Sequence, residues 1–202
     1  MLDNIIENDD MPDEIKAEFL NDIKRSANSM TFLVQSLLTL SKLDADTIVF
    51  NYSKKQVADV LKNCVESTAV LAELKSVEVI SDCSKDLEMD CDFKWLCEAV
   101  KNIVKNCIEH TGEGGIVKIS AEQNKLYTKI TIADNGVGID ETDLPHIFER
   151  FYKGKNSSDD SVGIGLALAK GITEKMGGYI TVDSVKNKGT TFIMKFFRSK
   201  NI

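Results

Sequence analysis

Asp134 closes an alternating run, Tyr127-Thr128-Lys129-Ile130-Thr131-Ile132-Ala133, and is followed by Asn135-Gly136-Val137-Gly138-Ile139. The alternation predicts a half-buried strand. An acid at the strand's end, with two glycines beyond it, allows a sharp turn and a close approach of backbone to a ligand. A carboxylate oxygen accepts a hydrogen bond from an exocyclic amine, and adenine carries one. The same residues also suit an ordinary turn. The reading therefore depends on a metal ligand, a phosphate loop and a lid elsewhere in the chain.

Asn102 and Asn106 stand four apart, which places both amides on one face of a helix. The carbonyl oxygen of Asn106 suits Mg²⁺, a hard cation with oxygen ligands. Ser161-Val162-Gly163-Ile164-Gly165-Leu166 sets a glycine pair at the opening of a helix. Free N–H groups and the positive end of the dipole make such a start a phosphate site. A dinucleotide fingerprint requires a third glycine, but position 168 is Leu, and no GxxxxGK(S/T) loop occurs. Ile147-Phe148-Glu149-Arg150-Phe151-Tyr152-Lys153 puts aromatics and cations before a polar, low-hydrophobicity stretch at residues 153–161. Arg150, Lys153 and Lys155 have the reach to meet phosphates. Each feature also has a plainer reading, as surface amides or an amphipathic turn with solvated charges.

These residues need elements to position them. Residues 2–8 read as a frayed helix end, and Asp9, Asp10 and Pro12 as a turn and helix start. Residues 13–43 are helical in pattern. Ile23, Met30 and Leu37 fall seven apart, with Leu33 and Leu40 on a second seam. That repeat suits a bundle or dimer, or one amphipathic helix packed on its own domain. A link and short strand (44–52), a helix (56–74), a strand (77–83) and a helix (92–109) follow. The last carries Leu96, Val100, Ile103, Val104 and Cys107 on one face and ends at a glycine cluster. A hairpin (117–121 and 126–133), a short helix (143–151), a helix (164–176) and two strands (179–185 and 190–197) complete the chain. Mixed strands and helices with antiparallel hairpins favour an α+β sandwich with helices on one face of a sheet over a doubly wound parallel sheet.

With 202 residues, the chain holds one large domain or one domain and an appendage. No apolar run approaches the ~20 residues of a membrane span, and the acidic N-terminus does not suit a signal peptide. A net charge of −7 argues against nucleic acid as a partner. An acidic protein that holds a polyanion must supply local donors, and usually a metal. Five cysteines with no CxxC pair argue against a disulfide framework or a zinc site. The two histidines, His110 and His146, exclude a multi-histidine metal centre.

In this order NIVKN, DNGVGI, IFERFYK, GIGLALAK and NKGTTF resemble the N, G1, F, G2 and G3 boxes of sensor histidine kinases. Those proteins share the gyrase, heat-shock chaperone, histidine kinase and MutL ATP-binding fold. The resemblance implies a two-layer α/β sandwich, its mixed sheet covered on one face by helices. It implies an ATP-binding catalytic domain at residues 45–202. Residues 1–44 resemble part of a dimerisation and phosphoacceptor hairpin. By position, Asn106 is implied as the Mg²⁺ ligand, with Asn102 beside it. Asp134 is implied as the acceptor for the adenine amine, supported by Gly136 and Gly138. Phe148 and Phe151 correspond to lid anchors and Lys153 to a basic lid residue. Gly163, Gly165 and Leu166 correspond to the phosphate loop, and Gly189 and Thr190 to the third glycine box. His110 stands where relatives often set an aromatic against the nucleotide.

The implied reaction transfers the γ-phosphoryl group of ATP, with Mg²⁺, to a histidine, for relay to a receiver-domain aspartate of a response regulator. The implied setting is a homodimer joined through the N-terminal helix, the cytoplasmic part of a membrane-bound parent. A non-catalytic nucleotide-binding scaffold and an ATP-hydrolysing switch are the alternatives. Glu109 departs from the pattern, lying where many kinases direct a Lys at phosphate. The second glycine box lacks a further glycine at Ser161 or Val162. No histidine precedes His110, so the phosphoacceptor is expected outside this chain. Hydrolytic members of the fold carry a Glu where this chain has Asn102. An amide is no general base, which implies slow hydrolysis and suits transfer to a side chain.

Overall fold

The structure, a computed structural model, describes residues 12–154 and 162–198. The expected frayed end at residues 2–8, and Lys155 and Ser161, lie outside the described residues. Helix α1 (Asp13–Asp44) starts directly after Pro12, whose fixed φ suits a helix start. Its two hydrophobic seams divide. Leu40 and Leu43 are buried and Leu33 packs on the same core. Ile23, Met30 and Leu37 remain exposed. One seam thus serves the chain's own core, and the heptad seam stays uncovered.

Strand β1 (Ser53–Gln56) pairs antiparallel with β3 (Glu88–Cys91) in a two-stranded sheet. Between them lie helix α2 (Val57–Leu74) and strand β2 (Glu78–Cys83). Helix α3 (Phe93–Glu109) follows. Asp92 caps it by accepting from the N–H of Trp95 at 3.2 Å, and its other oxygen accepts from the N–H of Asn51 at 2.8 Å. Strands β4 (Ile116–Gln123) and β5 (Tyr127–Asp134), helix α4 (Gly165–Lys175) and strands β6 (Gly178–Val185) and β7 (Gly189–Phe197) complete the fold. The main sheet runs β2-β4-β5-β7-β6, with β2 parallel to β4 and the other pairs antiparallel. The expected α+β sandwich with a mixed sheet is what the chain forms.

Alternation decides which face is covered. Ile130 and Ile132 of β5 and Phe192, Met194 and Phe196 of β7 point inward, against Ile103, Val104 and Cys107 of α3 and Leu168 and Ile172 of α4. Burying each such side chain contributes about 1.5–3 kcal/mol. Residues 143–151 differ from the expected short helix. They form successive turns, such as the His146 N–H to the Asp143 carbonyl at 2.9 Å. Pro145 offers no N–H for a helical ladder, and Phe151 adopts a left-handed φ of 64°. Among the described residues no helix is long and apolar enough to cross a membrane.

Candidate functional site

The antiparallel register of β5 and β7 pairs Ala133 with Thr191, so the end of β5 meets the start of β7. Asp134 Oδ1 accepts there from the N–H of Gly136 at 2.9 Å and of Thr190 at 3.1 Å. Its Oδ2 carries neither backbone bond. Beneath it, on α3, burial and the neighbouring Asp134 carboxylate raise the pKa of the Cys107 thiol well above the ordinary value. Ser184 closes the turn from the other side. Its hydroxyl accepts from the N–H of Ile139 at 2.8 Å and donates to the carbonyl of Gly189 at 3.0 Å.

The glycines of this turn serve the backbone itself. A Cβ on Gly136 would lie 2.2 Å from the His110 carbonyl oxygen, and one on Gly138 2.3 Å from that of Val185. At Gly189, with φ of 119°, a Cβ would lie 2.0 Å from the Asp134 carbonyl oxygen. These residues let the turn after β5 nest against the end of α3 and the β6–β7 turn. The carboxylate is thereby fixed from three elements.

Asp134 opens into a cavity of about 500 Å³, the size of a small-ligand site. Asn102, Asn106, His110, Asp134, Gly138, Gly163, Gly165, Leu166 and Thr190 all line it. Gly136, Phe148, Phe151, Lys153 and Gly189 stand outside its lining. The two asparagines take different parts. Asn102 is buried, and its amide donates to the Glu98 carbonyl at 2.8 Å and the Glu98 carboxylate at 3.2 Å. Its Oδ1 faces Gly165, 3.2 Å from the position of an added Cβ. Asn102 therefore props the start of α4. Asn106 is half-buried, and its side chain makes no hydrogen bond among the described residues. Its oxygen remains available to a hard cation, with ligand oxygens and water completing the shell. Among the described residues no group of three or more His, Cys, Asp or Glu could hold a metal. Among the described residues the site thus fits a cation held jointly by the Asn106 amide and a bound ligand.

Among the described residues no side chain caps the start of helix α4, and Gly163, Gly165 and Leu166 line the cavity, so an uncapped helix N-terminus lies at the cavity wall. Phe148 packs edge-on against Phe192, with ring centroids 6.4 Å apart, and Lys170 lies over its ring. Phe151 is 55% exposed, so its ring is no core anchor. Its N–H, however, donates to the Gly163 carbonyl at 2.8 Å and joins the two ends of the intervening segment. Tyr152 donates to Asp143 at 2.9 Å.

Two charged residues find partners that spacing along the chain does not reveal. Arg150, a candidate phosphate contact, instead makes a two-pronged pair with Asp44 at the end of α1, at 2.7 and 2.8 Å. Lys175 of α4 pairs with Asp46 just beyond. Glu109 is held by Lys105 at 3.6 Å, which turns it from an uncompensated carboxylate into half of an ion pair. Helix α1 also reaches the cavity, where Arg25, Asn28, Ser29 and Phe32 form part of its wall. Sequence reasoning missed them. Their spacing of i, i+3, i+4 and i+7 marks one helical stripe. Cys107, legible only as part of the apolar face of α3, and Ser184 come beside Asp134 and Gly189 through the tertiary fold alone.

Comparison with known proteins places this geometry. The sequence profile of the histidine kinase-, DNA gyrase B-, and HSP90-like ATPases matches residues 91–200. The heme sensor protein HssS of Staphylococcus saprophyticus is 33% identical over 184 residues, which cover 91% of this chain and 40% of HssS. The sensor histidine kinase WalK of Bacillus subtilis is 32% identical over 186 residues, covering 88% of this chain and 30% of WalK. The chain spans less than half the length of either relative. A solved structure of the histidine kinase ThkA in complex with the response regulator protein TrrA has a TM-score of 0.78. It is 20% identical and covers 98% of this chain and 55% of that one, which shows a common fold. The chain belongs to the histidine kinase-, DNA gyrase B-, and HSP90-like ATPase family, with the catalytic domain of the sensor histidine kinase kind.

Proposed function

We propose that this chain binds ATP with Mg²⁺ and presents the γ-phosphoryl group to a histidine supplied from outside it, for relay to a response-regulator aspartate. The observation that carries the reading is Asp134, fixed by two backbone N–H groups at the wall of a nucleotide-sized cavity. In this reading Asp134 accepts from the adenine amine and His110 flanks the base. The first turn of α4 and Leu166 meet the phosphates, and Lys153 joins them from the lid. Asn106 holds Mg²⁺, which when bound offsets the charge of the phosphate oxygens. Asn102 replaces any water-activating carboxylate at its position, so bound ATP is preserved for transfer. The chain's own contribution is positioning and charge stabilisation.

The same reading assigns residues 1–44 to a partial dimerisation hairpin and 45–202 to the catalytic domain. The exposed Ile23, Met30 and Leu37 seam supports a homodimer through α1. The relatives' character as sensors supports a membrane-bound parent with this part in the cytoplasm, and the ThkA complex supports a receiver domain as partner. Calorimetry with ATP, with and without Mg²⁺, tests the binding step. Radiolabel transfer from ATP to a separate helical hairpin bearing the acceptor histidine tests the reaction. Absence of ATP binding at millimolar concentration refutes the reading.

A further inference from the structure

We propose that Arg25 of helix α1 is a phosphate-binding residue of the nucleotide cavity, so that bound ATP bridges the long helix and the catalytic domain. The inference rests on the nucleotide reading above and extends it to a helix outside the sandwich. Charge carries it. Among the described residues the cavity is lined by four carboxylates, Glu109, Asp134, Asp140 and Asp143, against three cations, Arg25, Lys105 and Lys186. A nucleoside triphosphate would add several more negative charges, and a polyanion needs local positive charge.

Two of those cations are already committed inside the cavity. Lys105 pairs with Glu109 at 3.6 Å, and its ammonium lies 5.1 Å above the ring of Phe32. Lys186 pairs with Asp140 at 3.1 Å. Arg25 differs. Its ion partner is Asp22, three residues back on α1, at 3.7 Å, and Asp22 does not line the cavity. That pair is 65% and 63% exposed, and exposed pairs of this kind contribute little. The guanidinium is therefore released at small cost, and its planar fork suits two phosphate oxygens at once.

Arg25 is held in place by more than its own exposure. Asn28, Ser29 and Phe32 share its stripe and the same wall. Phe32 meets Lys105 of α3 across the cavity rim. Further along, Leu40 and Leu43 are buried in the core. The helix that carries Arg25 is thus docked at its C-terminal end and touches the catalytic domain again at Phe32.

Calorimetry on the whole chain in Mg²⁺ tests the proposal, with ATP and adenosine as probes and Arg25→Ala, Arg25→Lys and Asp134→Asn as variants. Arg25→Ala is expected to weaken ATP binding about tenfold or more while adenosine affinity stays at the wild-type value. Arg25→Lys is expected to restore part of the loss, and raised salt to narrow the gap between wild type and Arg25→Ala. Unchanged ATP affinity in Arg25→Ala overturns the proposal. A parallel fall for adenosine overturns it too, because that shows a structural role. If Asp134→Asn loses both probes while Arg25→Ala loses neither, only this inference fails. If the wild-type chain binds neither probe, the nucleotide reading fails with it.

Discussion

Replacing Asp134 by asparagine tests the adenine assignment with little disturbance of the fold. Asp134 Oδ1 accepts from the N–H groups of Gly136 and Thr190 at 2.9 and 3.1 Å. An asparagine with its carbonyl turned the same way keeps both bonds and directs an NH₂ group into the cavity. Each retained bond passes from a charged to a neutral acceptor, a change of roughly 1 kcal/mol. Stability should therefore fall by about 1–2 kcal/mol, and the turn should survive. The effect on ligand is larger because an acceptor becomes a donor. Loss of a charge-assisted bond is worth about 1.5–3 kcal/mol, and a donor facing a donor adds about 1–3. Half-burial of the site lets water recover part of this. The expected net loss is about 2–4 kcal/mol, or roughly 30- to 1000-fold in ATP affinity.

Calorimetry with ATP and with inosine triphosphate separates recognition from general damage. Inosine carries a carbonyl where adenosine carries the amine. The wild-type chain should prefer ATP, and Asp134→Asn should reverse that preference. Thermal denaturation reports the fold in parallel. ATP affinity within threefold of wild type refutes the reasoning.

Asn106→Ala should abolish the Mg²⁺-dependence of ATP affinity and leave stability within about 0.5 kcal/mol, because the side chain makes no internal hydrogen bond among the described residues. An undiminished Mg²⁺ effect in calorimetry counts against Asn106 as ligand. Asp140 is held down to a pKa of about 2, first by the Thr142 hydroxyl and backbone N–H and then by Lys186. Since the folded value is depressed, its contribution to stability is present above the usual carboxylate value of 3.8 and disappears as pH falls through about 2. Thr142→Val removes the hydroxyl but keeps the N–H, so carbon-detected NMR titration should show the pKa move partway back towards 3.8. Leu43 is 2% exposed and packs 3.4 Å from the position of a Cβ on Gly171 of α4. Leu43→Ala should cost about 2–4 kcal/mol in urea denaturation. A cost below about 0.5 kcal/mol would show that α1 is not docked on α4 in solution.

Much of this molecule was legible because its signals are local. The alternation through residues 127–133 specifies β5, and the apolar stripe from Leu96 to Cys107 specifies α3. Periodicity records which face a residue occupies, and that needs no knowledge of distant chain. Signals failed where an element is short or polar. Strand β1 is four exposed residues, Ser53–Gln56, and strand status comes only from pairing with β3. The turns at residues 143–151 carried a helix-like pattern of apolar residues that Pro145 prevents from closing a ladder.

The site divides in the same way. Residue types and order named Asp134, Asn102, Asn106 and the glycine pair before α4, since those positions lie within single elements. What each does was decided by contacts across the fold. Asn102 and Asn106 share one helical face, yet Glu98 and Gly165 make the first a prop, while the second keeps its oxygen for the cavity. Arg150 looked like a phosphate ligand until its partner proved to be Asp44, 106 residues away. The glycines after β5 looked like room for a ligand, but the space they leave is filled by the carbonyls of His110 and Val185. Sequence determined the inventory of elements and chemical groups, because propensity and periodicity act over a few residues. Tertiary structure determined the assignments, because a charge or an amide is committed by whichever group packing brings within hydrogen-bond reach.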